Sequence, residues 1–284
     1  MNVSLTKKNV RMIAALLTYL ILTTGAIIML LPLLWMLSTA LKEKEAAFLL
    51  PPRWIPNPIK WTNFIDVFKK GPIFSGFKNS LIVAITVISV GTFTSSLAAF
   101  SFAKLKFPGR DKIFLMLLGT IMIPYPVVMI PQFVMFSKIH WTDTLLPLIV
   151  PGMFGNVMMI FFLKQNMTSI SDSLIDAAKI DGCGYFKMYY KIILPLVKHA
   201  VATQIILWFV GIWNDYLAPL IYLNSPEKMT IQVVIASFNS FYAIQNDYPL
   251  IMAASLISML PIIMVFMIFQ KQIIESIMIS GIKE

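Results

Sequence analysis

Charge is scarce in this 284-residue chain: 13% of its residues are Asp, Glu, Lys or Arg, against about 25% in an average soluble domain. Imidazole and thiol are scarcer still, with His140, His199 and the lone Cys183. One thiol excludes an internal disulfide and a cysteine metal cluster, and two imidazoles leave little from which to build a metal site. The composition equally excludes a disordered chain or a disulfide-stapled secreted one. What the chain has in excess is apolar: 58% hydrophobic residues, 21 Phe, 19 Met and a mean hydropathy of +0.80. Such a chain belongs in a membrane.

A hydrocarbon core about 30 Å thick requires roughly 20 apolar residues of helix. Stretches of that length predict six spans, near 12–37, 80–103, 113–136, 144–163, 200–223 and 249–270, and only the fifth carries a charge, Asp215. The apolar run that follows Lys7, Lys8 and Arg11 is too long for a signal peptide and lacks a small-residue cleavage site, so the first span is expected to stay as an anchor. Lys104, Lys106, Arg110 and Lys112 crowd the short connection 104–112, whereas 137–143 holds Lys138 alone and 224–248 holds Lys228 alone. The positive-inside rule then puts both termini in the cytoplasm. The net charge of +10 reads as a topology signal with the anionic lipid bilayer as partner, and nucleic-acid binding is not expected. The expectation is an all-α polytopic membrane protein, six transmembrane helices in one domain over 1–284. Pro124, Pro126, Pro131, Pro147, Pro151, Pro219 and Pro261 fall inside the predicted spans and mark kinks or hinges.

The cytoplasmic segment 164–198 carries more pattern than a linker needs. Ser173-x-x-Asp176 approximates a capping box, and Gly182 is placed to end the short helix it opens. Beyond that turn, Tyr185, Met188, Tyr189, Ile192 and Ile193 recur at the spacing of one helix face, up to Leu194-Pro195. Ala177 and Ala178 offer a small-residue surface between Asp176 and Asp181. Two readings stay open on this pattern: insertion into a groove on another protein, or an amphipathic pair lying on the lipid surface.

Asp176-Ala-Ala-x-x-Asp181-Gly182, followed by Ile192-x-Leu194-Pro195, resembles the EAA motif of ATP-binding-cassette importer permeases. Asp176 stands where Glu is usual, Cys183 where Ala is usual and Tyr189 where Phe is usual. Asn79-Ser-Leu81, the run 103–110, Ile123-Pro124, Ile130-Pro131, Trp213-Asn-Asp-Tyr216, the run 224–230 and Met252-Ala-Ala-Ser255 resemble, in order, the G-type permeases of carbohydrate uptake transporters of the maltose-transporter kind. The resemblance implies a type I importer permease fold in a bacterial or archaeal cytoplasmic membrane. It implies a coupling segment made of Asp176, Ala177, Ala178, Asp181, Gly182, Tyr189, Ile192, Leu194 and Pro195. Its implied partners are an F-type permease, two ATPase subunits and an extracytoplasmic solute-binding protein. ATP and Mg would be bound by the ATPase partners, leaving this chain with no cofactor and no chemistry of its own. The tail 271–284 resembles the family's ATPase-contacting extension, with Lys283 in register. In the last outer loop, Asn239, Phe241, Tyr242 and Gln245 are candidates for contact with sugar or binding protein, the alternative being aromatic rings lying on the headgroups.

Three further features need weighing. Gly71 to Asn79 comes within one residue of a phosphate-binding loop, but Phe77 holds the position lysine would need. Trp213 and Asn214 could stack on and hydrogen-bond a sugar, although Trp near an interface also serves as a belt residue. Asp215 costs roughly 2.5–3.5 kcal/mol at mid-membrane on insertion scales and so demands a hydrogen-bond partner or a water-filled cavity. An ion-coupled secondary carrier is the alternative function, and it would need a chain of intramembrane charges that the sequence lacks. An enzyme ranks third, for want of any converging catalytic constellation.

Overall fold

The computed structural model describes residues 2–239 and 246–281, with side chains described over 9–239 and 246–272. Every regular element among the described residues is helical. In order they are α1 (Asn2–Ala40), α2 (Asn63–Lys70), α3 (Ile73–Lys104), α4 (Arg110–Gly119), α5 (Tyr125–Lys138), α6 (Leu146–Met153) and α7 (Val157–Thr168). Then come α8 (Asp172–Ile180), α9 (Tyr185–Met188), a π-helical turn (Tyr189–Ile193), α10 (Leu194–Leu196), α11 (Lys198–Trp213), α12 (Leu217–Tyr222), α13 (Ile231–Ser237) and α14 (Tyr248–Gly281). Four helical stretches among the described residues are long and apolar enough to cross a membrane, Asn9–Ala40, Ile73–Lys104, Leu146–Thr168 and Tyr248–Gln272, and two bent pairs raise the number to as many as six.

The departures from six straight rods fall where the backbone chemistry demands them. Within the third predicted span, α4 and the 3-10 turn after it meet α5 at 96°. Pro124 is the cause, because its ring drives the preceding residue out of helical geometry, and Ile123 is extended at φ −83°, ψ 111°. The fourth span pauses between α6 and α7, where the Asn156 side chain accepts the Met159 N–H at 3.0 Å and so caps the resumed helix. The fifth span ends as a continuous helix at Trp213, and residues to Leu223 form the separate α12. The sixth continues without a break into the expected tail, so 271–281 is the end of α14.

The described residues group into two compact units, Met1–Lys70 with Phe238–Ile257, and Gly71–Ser237 with Ser258–Glu284. In the first, Asn63 fastens the C-terminal end of α1 by donating from Nδ2 to the carbonyls of Ala40 and Lys42, both at 2.8 Å. The Lys42 ammonium sits 4.2 Å over the Trp35 ring, and burial lowers its pKa. In the second unit α3 is the axis, contacting α6, α7, α11 and α13. Small residues at Gly76, Ser80, Ala84, Gly91, Ser95 and Ala99 form its buried stripe, the pattern that lets helices approach closely where lipid supplies no hydrophobic drive. Approach is closest at Gly91, where a Cβ would lie 2.4 Å from the Trp208 ring and 2.6 Å from the Gly152 carbonyl oxygen.

Candidate functional site

The segment expected to couple to another protein folds as a helical hairpin, and its local chemistry explains the shape. Its first helix starts two residues before the sequence pattern suggested: Ser171, not Ser173, is the N-cap and accepts the Ser173 N–H at 3.3 Å. At the far end Asp181 is the C-cap. Gly182 N–H donates to Lys179 O at 3.0 Å and Cys183 N–H to Ala178 O at 2.9 Å, the paired bonds of a Schellman turn. Gly182 holds φ +73°, a conformation that penalises any side chain. In the second half, Pro195 cannot offer an N–H to the turn before it, and the chain there takes the wider π geometry.

The hairpin has an inner and an outer face, and they divide the motif. Ile175, Ala178, Met188, Tyr189 and Ile193 are buried against Ala99 and Phe100 of α3. Tyr189 is 1% exposed, and its hydroxyl pairs with the Ser96 hydroxyl at 2.8 Å. The outer face holds Asp176, Ala177, Asp181 and Gly182, with Asp176 bonded to Lys179 at 3.1 Å. Ala177 and Ala178 are therefore not one surface: the first faces out and the second, 6% exposed, faces α3. Tyr185 likewise leaves the inner face that the helical spacing suggested and is 56% exposed. Ile192 and Leu194 are half-buried and Pro195 is exposed. Sequence reasoning missed the apolar rim of Leu174, Ile180 and Phe186; Ile180 is 87% exposed. Its signal was available, since the apolar residues of 174–186 exceed what one buried face can hold.

Where the chain enters this hairpin, the Lys104 ammonium donates to Ile170 O at 2.6 Å and to Asp172 Oδ1 at 2.7 Å. The bond from Lys104 holds the Asp172 carboxyl below its ordinary pKa.

A second polar centre gathers at the other end of α3. Ser80, Tyr125, Gln132, Asp215, Tyr222 and Thr230 line a cavity of about 220 Å³. Tyr125 donates to the Tyr222 hydroxyl at 3.3 Å and Tyr222 to Gln132 Oε1 at 3.2 Å. Asp215 accepts the N–H of Ala218 at 3.3 Å in the first turn of α12, a local bond of the kind that lets a lone acid persist there. Trp213, expected as a sugar platform, is 1% exposed. Its indole donates to Ser258 O at 2.9 Å and stacks on Phe209, so both faces and the N–H are committed to protein. Asn214 is exposed and donates to Val210 O at 3.0 Å.

Close by, Asp143 ties two loops together. It accepts the Ser225 hydroxyl at 2.6 Å, the N–H groups of Ser225 and Asn224, each at 2.9 Å, and the Lys228 ammonium at 2.9 Å. These donors, the Ser225 hydroxyl foremost, hold its carboxyl well below the usual carboxylate range. Asn79 donates to Glu227 O and Met229 O, and Ser80 accepts the Ile231 N–H. Asn239 is exposed, while Phe241, Tyr242, Gln245 and Lys283 lie outside the described residues.

Comparison with known proteins places this geometry in context. Residues 91–278 match the family described as binding-protein-dependent transport system inner membrane component. The arabinooligosaccharides transport system permease AraQ of Bacillus subtilis is 33% identical over 229 residues, 80% of each chain. The lactose transport system permease LacG of Rhizobium radiobacter is 26% identical over 265 residues, 93% of this chain and 95% of the relative. Among solved structures, a bacterial ABC transporter involved in the import of the acidic polysaccharide alginate contains a chain of the same fold. It superposes with a TM-score of 0.78 at 20% identity, over 91% of this chain and 96% of that one.

Proposed function

Because this chain belongs to the inner-membrane components of binding-protein-dependent transport systems, we propose that it is the G-type permease subunit of a carbohydrate importer driven by separate ATPases. The carbohydrate class rests on one observation: relatives that align along four-fifths or more of the chain are named for arabinooligosaccharide and lactose transport. In this reading it forms half of a translocation pathway with an F-type permease. Two ATPase subunits bind ATP and Mg, an extracytoplasmic binding protein delivers the sugar, and both termini are cytoplasmic.

The exposed turn Asp176–Gly182 supports the coupling role. It presents acids, a small residue and an apolar rim on a hairpin whose other face is already buried, and such a patch calls for a protein partner. Asp176, Ala177, Asp181 and Gly182 then contact the ATPase; Ala178, Tyr189, Ile192, Leu194 and Pro195 shape the hairpin that presents them. Lys283 and the end of the tail add an ATPase contact, and Asn239 with Phe241, Tyr242 and Gln245 faces the binding protein. The alternative of an ion-coupled carrier has no support from the family match. Around Asp215, the described lining of the cavity holds no second acid and no Lys, Arg or His, so a proton has no onward step.

Uptake into proteoliposomes containing this chain, its partner permease, the ATPase and the binding protein tests the reading. Transport is expected to require internal ATP and the binding protein, and Asp215→Asn, nearly isosteric, is expected to retain most of it. Uptake driven by a pH gradient without ATP and abolished by Asp215→Asn overturns the proposal.

A further inference from the structure

The hairpin that faces the ATPase and the loop on the opposite side of the membrane are both fastened to one helix. At the inner end of α3, Lys104 is the last helical residue and its side chain is 2% exposed. A buried ammonium must have its donors satisfied, and here two of them bracket the N-terminus of α8, on Ile170 O and Asp172 Oδ1. Two turns back, Ser96 is bonded to Tyr189 in the second half of the same hairpin, with both residues 1% exposed. At the outer end Asn79 spends both N–H groups on the carbonyls of Glu227 and Met229 at 2.9 and 3.0 Å, and Ser80 caps Ile231 at 2.9 Å. Asn79 and Lys104 are separated by about 38 Å at the α-helical rise of 1.5 Å per residue.

These fasteners differ in kind from the packing around them. Apolar contacts along the α3 stripe let surfaces slide, whereas a buried hydrogen bond with a fixed partner defines one position and leaves an unsatisfied group if that position is lost. Lys104 and Ser96 grip the hairpin at its entry and its exit, so it cannot tilt about either end alone.

Resting on the importer reading above, we propose that Lys104, Ser96 and Asn79 are positioning residues: they lock the coupling hairpin and the outer segment 224–231 to α3, so that displacement of one is delivered to the other. None of the three touches sugar or ATP in this scheme.

Spin labels on the native Cys183 and on Glu227→Cys, both on the elements being locked, report the lock directly. The complex of this chain with its partner permease and ATPase is placed in nanodiscs, and the label separation is measured without nucleotide and after trapping with ATP and vanadate. One narrow separation, the same in both states, is expected. Lys104→Met and Tyr189→Phe are each expected to broaden it, and Lys104→Arg, whose guanidinium can still donate to both Ile170 O and Asp172, to keep the narrow distribution. A lysine that merely contributes to stability would alter yield or melting temperature in Lys104→Met without broadening the separation. Should Lys104→Met fail to insert, Tyr189→Phe, which removes one hydroxyl, carries the comparison. A separation that shifts on trapping in the unsubstituted chain, or one that stays narrow in Lys104→Met and Tyr189→Phe, overturns the proposal. Failure of the ATPase to co-purify with the unsubstituted chain overturns the importer reading instead, and is scored separately.

Discussion

Asp143 shows how much one side chain can organise. Its backbone sits at φ +58°, a region that non-glycine residues enter mainly when a side chain rewards it, and its carboxylate collects four donors from 224–228. The depressed pKa sets the direction of the pH response. Stability from this latch is fully present above the ordinary carboxylate pKa and is lost only as pH falls through the lower, folded-state value. The 224–228 segment is therefore expected to stay protected from proteolysis in mild acid, where free carboxylates begin to protonate. Asp143→Ala is expected to release it at neutral pH, at a cost of about 1–3 kcal/mol for hydrogen bonds to a charged group. Equal protease sensitivity of the two proteins at neutral pH would show that the latch contributes nothing. The apparent oddity of Asp215 has a similar answer at this scale, since one carboxylate oxygen is spent on the helix that follows it.

At the scale of the element, the hairpin proposed to couple to the ATPase separates two adjacent alanines that look equivalent in the motif. Ala178→Glu would push a carboxylate into the cluster formed with Ala99, Met188 and Ile193, and an unpaired buried charge costs several kcal/mol. That variant is expected to lower the melting temperature of the purified chain and its yield. Ala177→Glu, on the exposed face, is expected to leave both unchanged while the ATPase no longer co-purifies. Should both substitutions act alike on folding, the two-faced description of α8 is wrong; should Ala177→Glu retain the ATPase, the outer face is not the docking surface. The bend at Pro124 and the caps at Ser171 and Asn156 belong to this scale too, because each fixes an element boundary without reference to distant partners.

For the whole molecule, the sequence expectation of six spans meets, among the described residues, four single candidates and two bent pairs. Composition and length cannot decide whether a bent pair crosses the membrane or turns back within it. Labelling with membrane-impermeant maleimide can. In a Cys183→Ser background, Lys106→Cys is expected to react only from the cytoplasmic side and Glu227→Cys only from outside; both positions are exposed. Reaction of the two from the same face would break the six-span topology and with it the placing of hairpin and outer loop on opposite sides.

The sequence by itself determined the membrane environment, the helical class and the two short helices joined at Gly182. All of these depend on local quantities: apolar length, proline and glycine punctuation, and the run Asp176 to Pro195. Gly182 was legible because a left-handed C′ position is a one-residue requirement. Tertiary structure alone decided which face of each element meets protein, since periodicity gives an angle around the helix axis but not the neighbour that fills it. Thus Ala178 went inward and Tyr185 outward, and Trp213 was taken up by Ser258 and Phe209. The fasteners of α3 were equally invisible, because Lys104 with Asp172, Ser96 with Tyr189 and Asn79 with Glu227 are far apart along the chain, and only the folded helix brings each pair within hydrogen-bonding distance.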